Sequence, residues 1–194
     1  MHFTESQKAL EFAIRAHKGV MRKDGKTPYI NHPFTMACDA LAHPGVTDEL
    51  VATILLHDVL EDTNYTVEAL PVNDYIRRAI VLVTIQGFEG ETKKATKERY
   101  YHELPEVPEG LITKGFDRIA NLNDAEGVLS LESIEKNVIE THELLIPEFQ
   151  KAKADPRFAK YDSMCFLIRR ELKRLVTNMA IVHHIKLRPI STAA

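Results

Sequence analysis

The 194-residue chain has only two cysteines and no long apolar run, and each shortage removes a class of protein. Cys38 and Cys165 are isolated, without CxxC spacing, and read as free thiols in a reducing cytoplasm. No apolar stretch reaches the roughly 20 residues that a bilayer demands. The N-terminus also lacks the charged-then-apolar pattern of a secretory signal. A cytoplasmic protein with no membrane partner is therefore expected. Charge of one sign is scarce as well: 25 Lys and Arg against 28 Asp and Glu leave a formal −3. So balanced a body does not suit a protein that coats nucleic acid, although a locally basic pocket for one nucleotide remains compatible with it. Period-two alternation is missing, so no sheet is expected.

What the chain does contain is apolar residues at helical spacing, in a composition (44% hydrophobic, 27% charged) that marks an ordinary globular protein. One domain over 1–194 is the default, and a chain of this length buries roughly 70% of its unfolded surface without a disulfide or metal staple. Thr4 and Gln7 resemble a capping box for a first helix, with Leu10, Ala13, Ile14 and His17 as its buried stripe and Gly19 as its end. Residues 20–31, with Gly25 and Pro28, read as a loop. Pro33 opens a helix carrying Met36, Ala37, Ala40 and Leu41. After the His43-Pro44-Gly45 break, Thr47 or Asp48 caps a third helix running to about Glu61.

A short helix follows Thr66. A longer one follows Asn73, with Ile76, Ala79, Ile80 and Val83 buried and Gly87 closing it. Residues 86–110 are polar and read as a mobile excursion with one helical piece over 94–104. Helices over 111–122 and from 131, the latter kinked near Pro147, come next. The last helix, 162–186, places Leu167, Ile168, Leu172, Leu175, Met179 and Val182 on one face. The expected fold class is all-α.

The chemistry concentrates at His57-Asp58-Val59-Leu60-Glu61-Asp62, at the end of an otherwise apolar helix. At 100° per residue, His57, Asp58, Glu61 and Asp62 share an arc of roughly 140°. Burying such groups unpartnered costs several kcal/mol per charge. A divalent cation removes that cost, because imidazole and carboxylate are its natural ligands. Acids at a helix C-terminus also oppose the helix dipole, so Glu61 and Asp62 need a reason to be there. Adjacent ligands on one helix cannot complete a coordination sphere. His32, pinned by Pro33, and Asp117, with Asn121 one turn on, are the candidates for the rest. His17 reads as a core histidine; His43, His102, His142, His183 and His184 read as surface residues.

Three blocks resemble a known family: Arg22 through Pro33 (RKDGKTPYINHP), His57-Asp58 with Glu61-Asp62-Thr63, and Lys114 through Asn121. They look like the hydrolase half of RelA/SpoT proteins, and above all like the stand-alone small alarmone hydrolases of the metazoan SpoT-homologue type. The blocks stand in the family's order within about residues 4–150. The resemblance implies an HD-domain metal phosphohydrolase fold and a manganese-dependent enzyme that removes pyrophosphate from the 3′ position of (p)ppGpp.

Carried over by that resemblance, His32, His57, Asp58 and Asp117 match the metal ligands, and Glu61 and Asp62 match the pair that activates water. Arg22 and Lys23 match nucleotide contacts, and Asn121 a contact to the sugar or base. Manganese is the implied ion, with iron, zinc or magnesium as alternatives. Thr84 through Glu89 depart from the family's pattern, and nearby Lys93, Lys94, Lys97 and Arg99 read at least as readily as a solvated helix face as they do as candidate phosphate contacts. Two other functions remain open: hydrolysis of another nucleotide (an adenosine alarmone, NADPH or a dNTP), and a non-catalytic nucleotide-binding regulator beside a toxin or synthetase partner.

Overall fold

The computed structural model describes residues 3–189, and its regular elements are helices, apart from one β-bridge between Met21 and Pro28. The all-α expectation therefore holds. The α-helices are α1 (Thr4–Ala16), α2 (Asn31–Leu41), α3 (Asp48–Leu56), α4 (Val59–Asp62), α5 (Asp74–Val83), α6 (Lys93–Glu103), α7 (Pro108–Asn123), α8 (Leu131–Glu140), α9 (Ile146–Ala152) and α10 (Asp162–Val182). The core centres on α3, whose residues from Leu50 to Leu56 are all buried, with α1, α2, α5 and α7 packed around it. On its other side α7 packs on α10, which buries Met164, Cys165, Ile168, Leu172, Leu175, Val176 and Met179.

Helix starts follow local chemistry. Thr47 accepts the Leu50 N–H at 3.2 Å, Asn73 the Ile76 N–H at 3.0 Å, and Ser130 the Ser133 N–H at 3.3 Å. The expected Thr4 cap is corrected: α1 has no side-chain cap of its own. Asp48, from the start of α3, accepts the Glu5 N–H (2.7 Å), the Ser6 N–H (2.8 Å) and the Ser6 hydroxyl (2.6 Å). One carboxylate thus caps α1 from a distant helix, a contact invisible to local pattern.

Other boundaries also differ from expectation. The helix expected to run unbroken to Glu61 stops at Leu56; Asp58 (φ −98°, ψ −2°) breaks it, and α4 restarts at Val59. The expected excursion over 86–110 is not one, because Tyr100 and Tyr101 of α6 are buried and the Tyr100 hydroxyl donates to the Val83 carbonyl at 2.8 Å. The chain leaves α5 at Thr84 rather than Gly87, and α7 begins at Pro108 rather than 111. After α8 a wide π-type turn, Thr141–Leu145, carries the chain into Pro147, the expected site of the kink. α10 ends at Val182 rather than 186, and Val182 is 65% exposed, off the buried stripe. Among the described residues no helix is long and apolar enough to cross a membrane.

Candidate functional site

The segment before α2 is irregular yet ordered. The Arg22 N–H donates to the Thr27 carbonyl (2.8 Å) and the Tyr29 N–H to the Val20 carbonyl (2.9 Å), closing a tight loop in which Gly25 takes a positive φ of 68°. Asp24 accepts the Lys26 and Thr27 N–H groups and the Thr27 hydroxyl; these bonds, the Thr27 side chain first, lower its pKa to about 2. The loop presents Arg22 and Lys23 on one side and delivers His32 into the first turn of α2 on the other.

His32, His57 and Asp117 converge from three elements, with one ligand atom of each inside a 4.8 Å span. His32 Nε2 lies 3.2 Å from Asp117 Oδ1, and His57 Nε2 lies 3.8 Å from the same oxygen. His57 donates Nδ1–H to the Ile54 carbonyl at 2.8 Å, which turns Nε2 toward the cluster. That Nε2 is buried without a hydrogen-bond partner, although Asp58 Oδ2 is 2.9 Å away. A buried, unpartnered imidazole nitrogen facing carboxylates is what a divalent ion satisfies, so the residues present fit a metal. Asp58 stands beside this trio and accepts the hydroxyl of Tyr29, whose ring packs 4.7 Å from the His17 ring. His17 is buried, as expected of a core histidine, and burial lowers its pKa.

The electrostatics are those of a cation-seeking pocket. Burial disfavours charge on Asp117, but Lys114 (Nζ to Oδ2, 2.7 Å) and the imidazoles hold its carboxyl well below the usual range. Burial likewise opposes charge on His57, and Asp58 and Asp117 outweigh it, pushing its pKa up. Burial raises the pKa of Glu61, whose Oε1 accepts the Ile85 N–H at 2.8 Å. Along α7, Lys114, Asp117, Asn121 and Asp124 share one face. Asn121 donates to Asp117 Oδ1 (2.5 Å), and Arg22 reaches across to Asn121 (3.5 Å) and Asp124 (2.9 Å).

Eight of the nine residues singled out from the sequence line one cavity of about 750 Å³: Arg22, Lys23, His32, Asp58, Glu61, Asp62, Asp117 and Asn121. The ninth, His57, sits behind it against Asp58. Tyr29, Lys114, Asp124 and the Arg118–Asn137 pair were missed, although Lys114 and Asp124 lie three residues before and seven after Asp117, a readable helical spacing. The basic residues of α6 do not reach this cavity. Lys97 pairs with Glu140, Arg99 with Glu91 and Glu103, and Lys94 with Glu98, so the expectation of phosphate contacts there is corrected. Of the histidines expected at the surface, His102 and His184 are exposed, while His43, His142 and His183 are half-buried.

No family model matches the chain. It is 34% identical over 122 residues to the guanosine-3′,5′-bis(diphosphate) 3′-pyrophosphohydrolase MESH1 of Danio rerio, which covers 59% of this chain and 66% of that one. The MESH1 of Homo sapiens matches at the same identity over 60% and 66%. A guanosine-3′,5′-bis(diphosphate) 3′-pyrophosphohydrolase of Aquifex aeolicus is 35% identical over 156 residues, 75% of this chain but 21% of that longer protein. The match thus spans 66% of the length of the MESH1 relatives. By these likenesses the chain is similar to the SpoT-like hydrolases of the metazoan SpoT-homologue type, and its all-helical fold agrees with that likeness.

Proposed function

We propose that this chain, acting as a single hydrolase domain, removes the 3′-pyrophosphate of (p)ppGpp to give GDP or GTP and pyrophosphate. The observation that carries the reading is the sharing of one 750 Å³ cleft by the His–Asp cluster, the acidic pair and the Arg22–Lys23 wall, since that volume suits a nucleotide. The activity of these relatives supports the same assignment.

In this reading His32, His57, Asp58 and Asp117 hold one divalent ion, manganese by the family resemblance. When bound, the ion lowers the pKa of water and neutralises charge developing on phosphoryl oxygens. Glu61 and Asp62 orient the attacking water and accept its proton. The water oxygen bonds to the phosphorus on the 3′ oxygen, the bond from that phosphorus to the ribose breaks, and the 3′ oxygen ends as a hydroxyl. Lys114 and Asn121 keep Asp117 ionised and fixed in place. Tyr29 does the same for Asp58. Arg22 offers a planar cation for stacking on the base, and Lys23 a point charge for phosphate.

The test separates binding from turnover. Glu61→Gln and Asp62→Asn should each still bind one equivalent of manganese by calorimetry, and each should lose roughly 10²–10⁴-fold in turnover of ppGpp. Full activity in both variants contradicts the mechanism.

A further inference from the structure

Glu61 borders two cavities, the 750 Å³ cleft and a second of about 550 Å³ on its other side. Ile85 lines only the second, and from there its main-chain N–H reaches Glu61 Oε1 at 2.8 Å. Glu61 Oε2 is left without a protein partner among the described residues. The donor is anchored on both flanks. Before it, the Thr84 N–H and hydroxyl both bond the Ile80 carbonyl, at 3.1 and 2.8 Å. After it, the Gln86 carbonyl accepts Arg99 at 2.5 Å, and Arg99 is itself held by Glu91 and Glu103.

We infer that the Ile85 main-chain amide is a positioning group, fixing the Glu61 carboxylate so that its free oxygen serves the reaction. The inference rests on the role proposed above for Glu61. A positioned base needs its rotamer locked by a neighbouring group, and a fixed amide does so at no side-chain entropy cost. The amide favours the ionised carboxyl, as does Lys114 from α7. Burial and Asp58 oppose it, and His57 and Tyr100 of α6 also face it.

Thr84 already has φ −84° and ψ 117°, a conformation that a following proline accepts. Ile85→Pro therefore deletes one hydrogen bond, whereas Ile85→Ala keeps the donor and loses only an exposed side chain. The expected result is a kcat for Ile85→Pro lower by roughly 10–100-fold with KM little changed, and an acidic limb of the kcat/KM profile moved to higher pH; Ile85→Ala stays near wild type.

Independently of turnover, carboxyl-carbon NMR of the metal-free protein should show the Glu61 midpoint raised by Ile85→Pro but not by Ile85→Ala. If the proline variant does not fold, Arg99→Gln, which frees Gln86, should raise the midpoint in the same direction. Equal midpoints and equal kcat in the proline and alanine variants overturn the inference, as does an unmoved midpoint in Arg99→Gln. A wild-type protein that does not act on ppGpp overturns the proposed function instead, while the titration still decides the role of the amide.

Discussion

Asp48→Ala removes three hydrogen bonds at once: to the Glu5 N–H, the Ser6 N–H and the Ser6 hydroxyl. Each joins α1 to α3, the tightest pairing of the core. A cap lost to alanine costs about 0.5–2 kcal/mol, and a hydrogen bond to a charged acceptor contributes about 1.5–3 kcal/mol. The site is half-buried, so water recovers part of the loss, leaving about 2–3 kcal/mol. For a chain of this size that lowers Tm by about 4–12 °C.

The pH dependence has a definite sign. Burial alone raises the Asp48 pKa, but the bonds from Ser6 and Glu5 outweigh it and lower it below the ordinary aspartate value. A depressed carboxyl stabilises the fold above its unfolded pKa of about 3.9, and this contribution is lost as pH falls through the lower, folded value. The Tm gap between wild type and Asp48→Ala in scanning calorimetry should therefore be constant from pH 6 to 8 and shrink below about pH 4. Asp48→Asn, which keeps one acceptor, should fall between the two. A gap under about 1 °C at pH 7, or one that widens on acidification, refutes the reasoning.

Two further perturbations probe the packing and the metal. Gly115 of α7 lies so close to α9 and α10 that an added Cβ would meet Phe149 Cζ of the first and Ile168 Cγ2 of the second at 2.6 Å each. Gly115→Ala should cost about 1–3 kcal/mol in chemical denaturation, and an unchanged midpoint would show that α7 moves freely away from α9 and α10. Manganese at 100 times its Kd should stabilise wild type by about 2.7 kcal/mol, seen as a rise in Tm. Asp117→Ala should abolish that rise, and its persistence would place the ion elsewhere.

Where a signal is local, the sequence carried it. Asn73 caps α5 and the 76/79/80/83 stripe is buried, as a 3.6-residue period demands. His57 and Asp58 were legible because acids and imidazoles interrupt an apolar run. What escaped was set by distant partners. Asp48 caps a helix 42 residues upstream of it, and nothing near Thr4 betrays that. The break at Asp58 follows from holding its carboxylate beside His57 and under the Tyr29 hydroxyl, geometry that propensity cannot see. The polar surface of α6 concealed Tyr100 and Tyr101, two aromatics that fasten it to α5 and α8. Lys97 and Arg99 had their partners in Glu140, Glu91 and Glu103, acids at variable distance in sequence. Val182 is exposed at the end of α10, although Met179 before it and Ile185 after it are buried.

The most direct measurement is manganese-dependent release of pyrophosphate from ppGpp, with Asp58→Ala as the control. The account predicts release by wild type, with GDP formed in equal amount, none without the ion, and none from Asp58→Ala. No release from wild type with manganese shown to be bound, or equal release from Asp58→Ala, would contradict it.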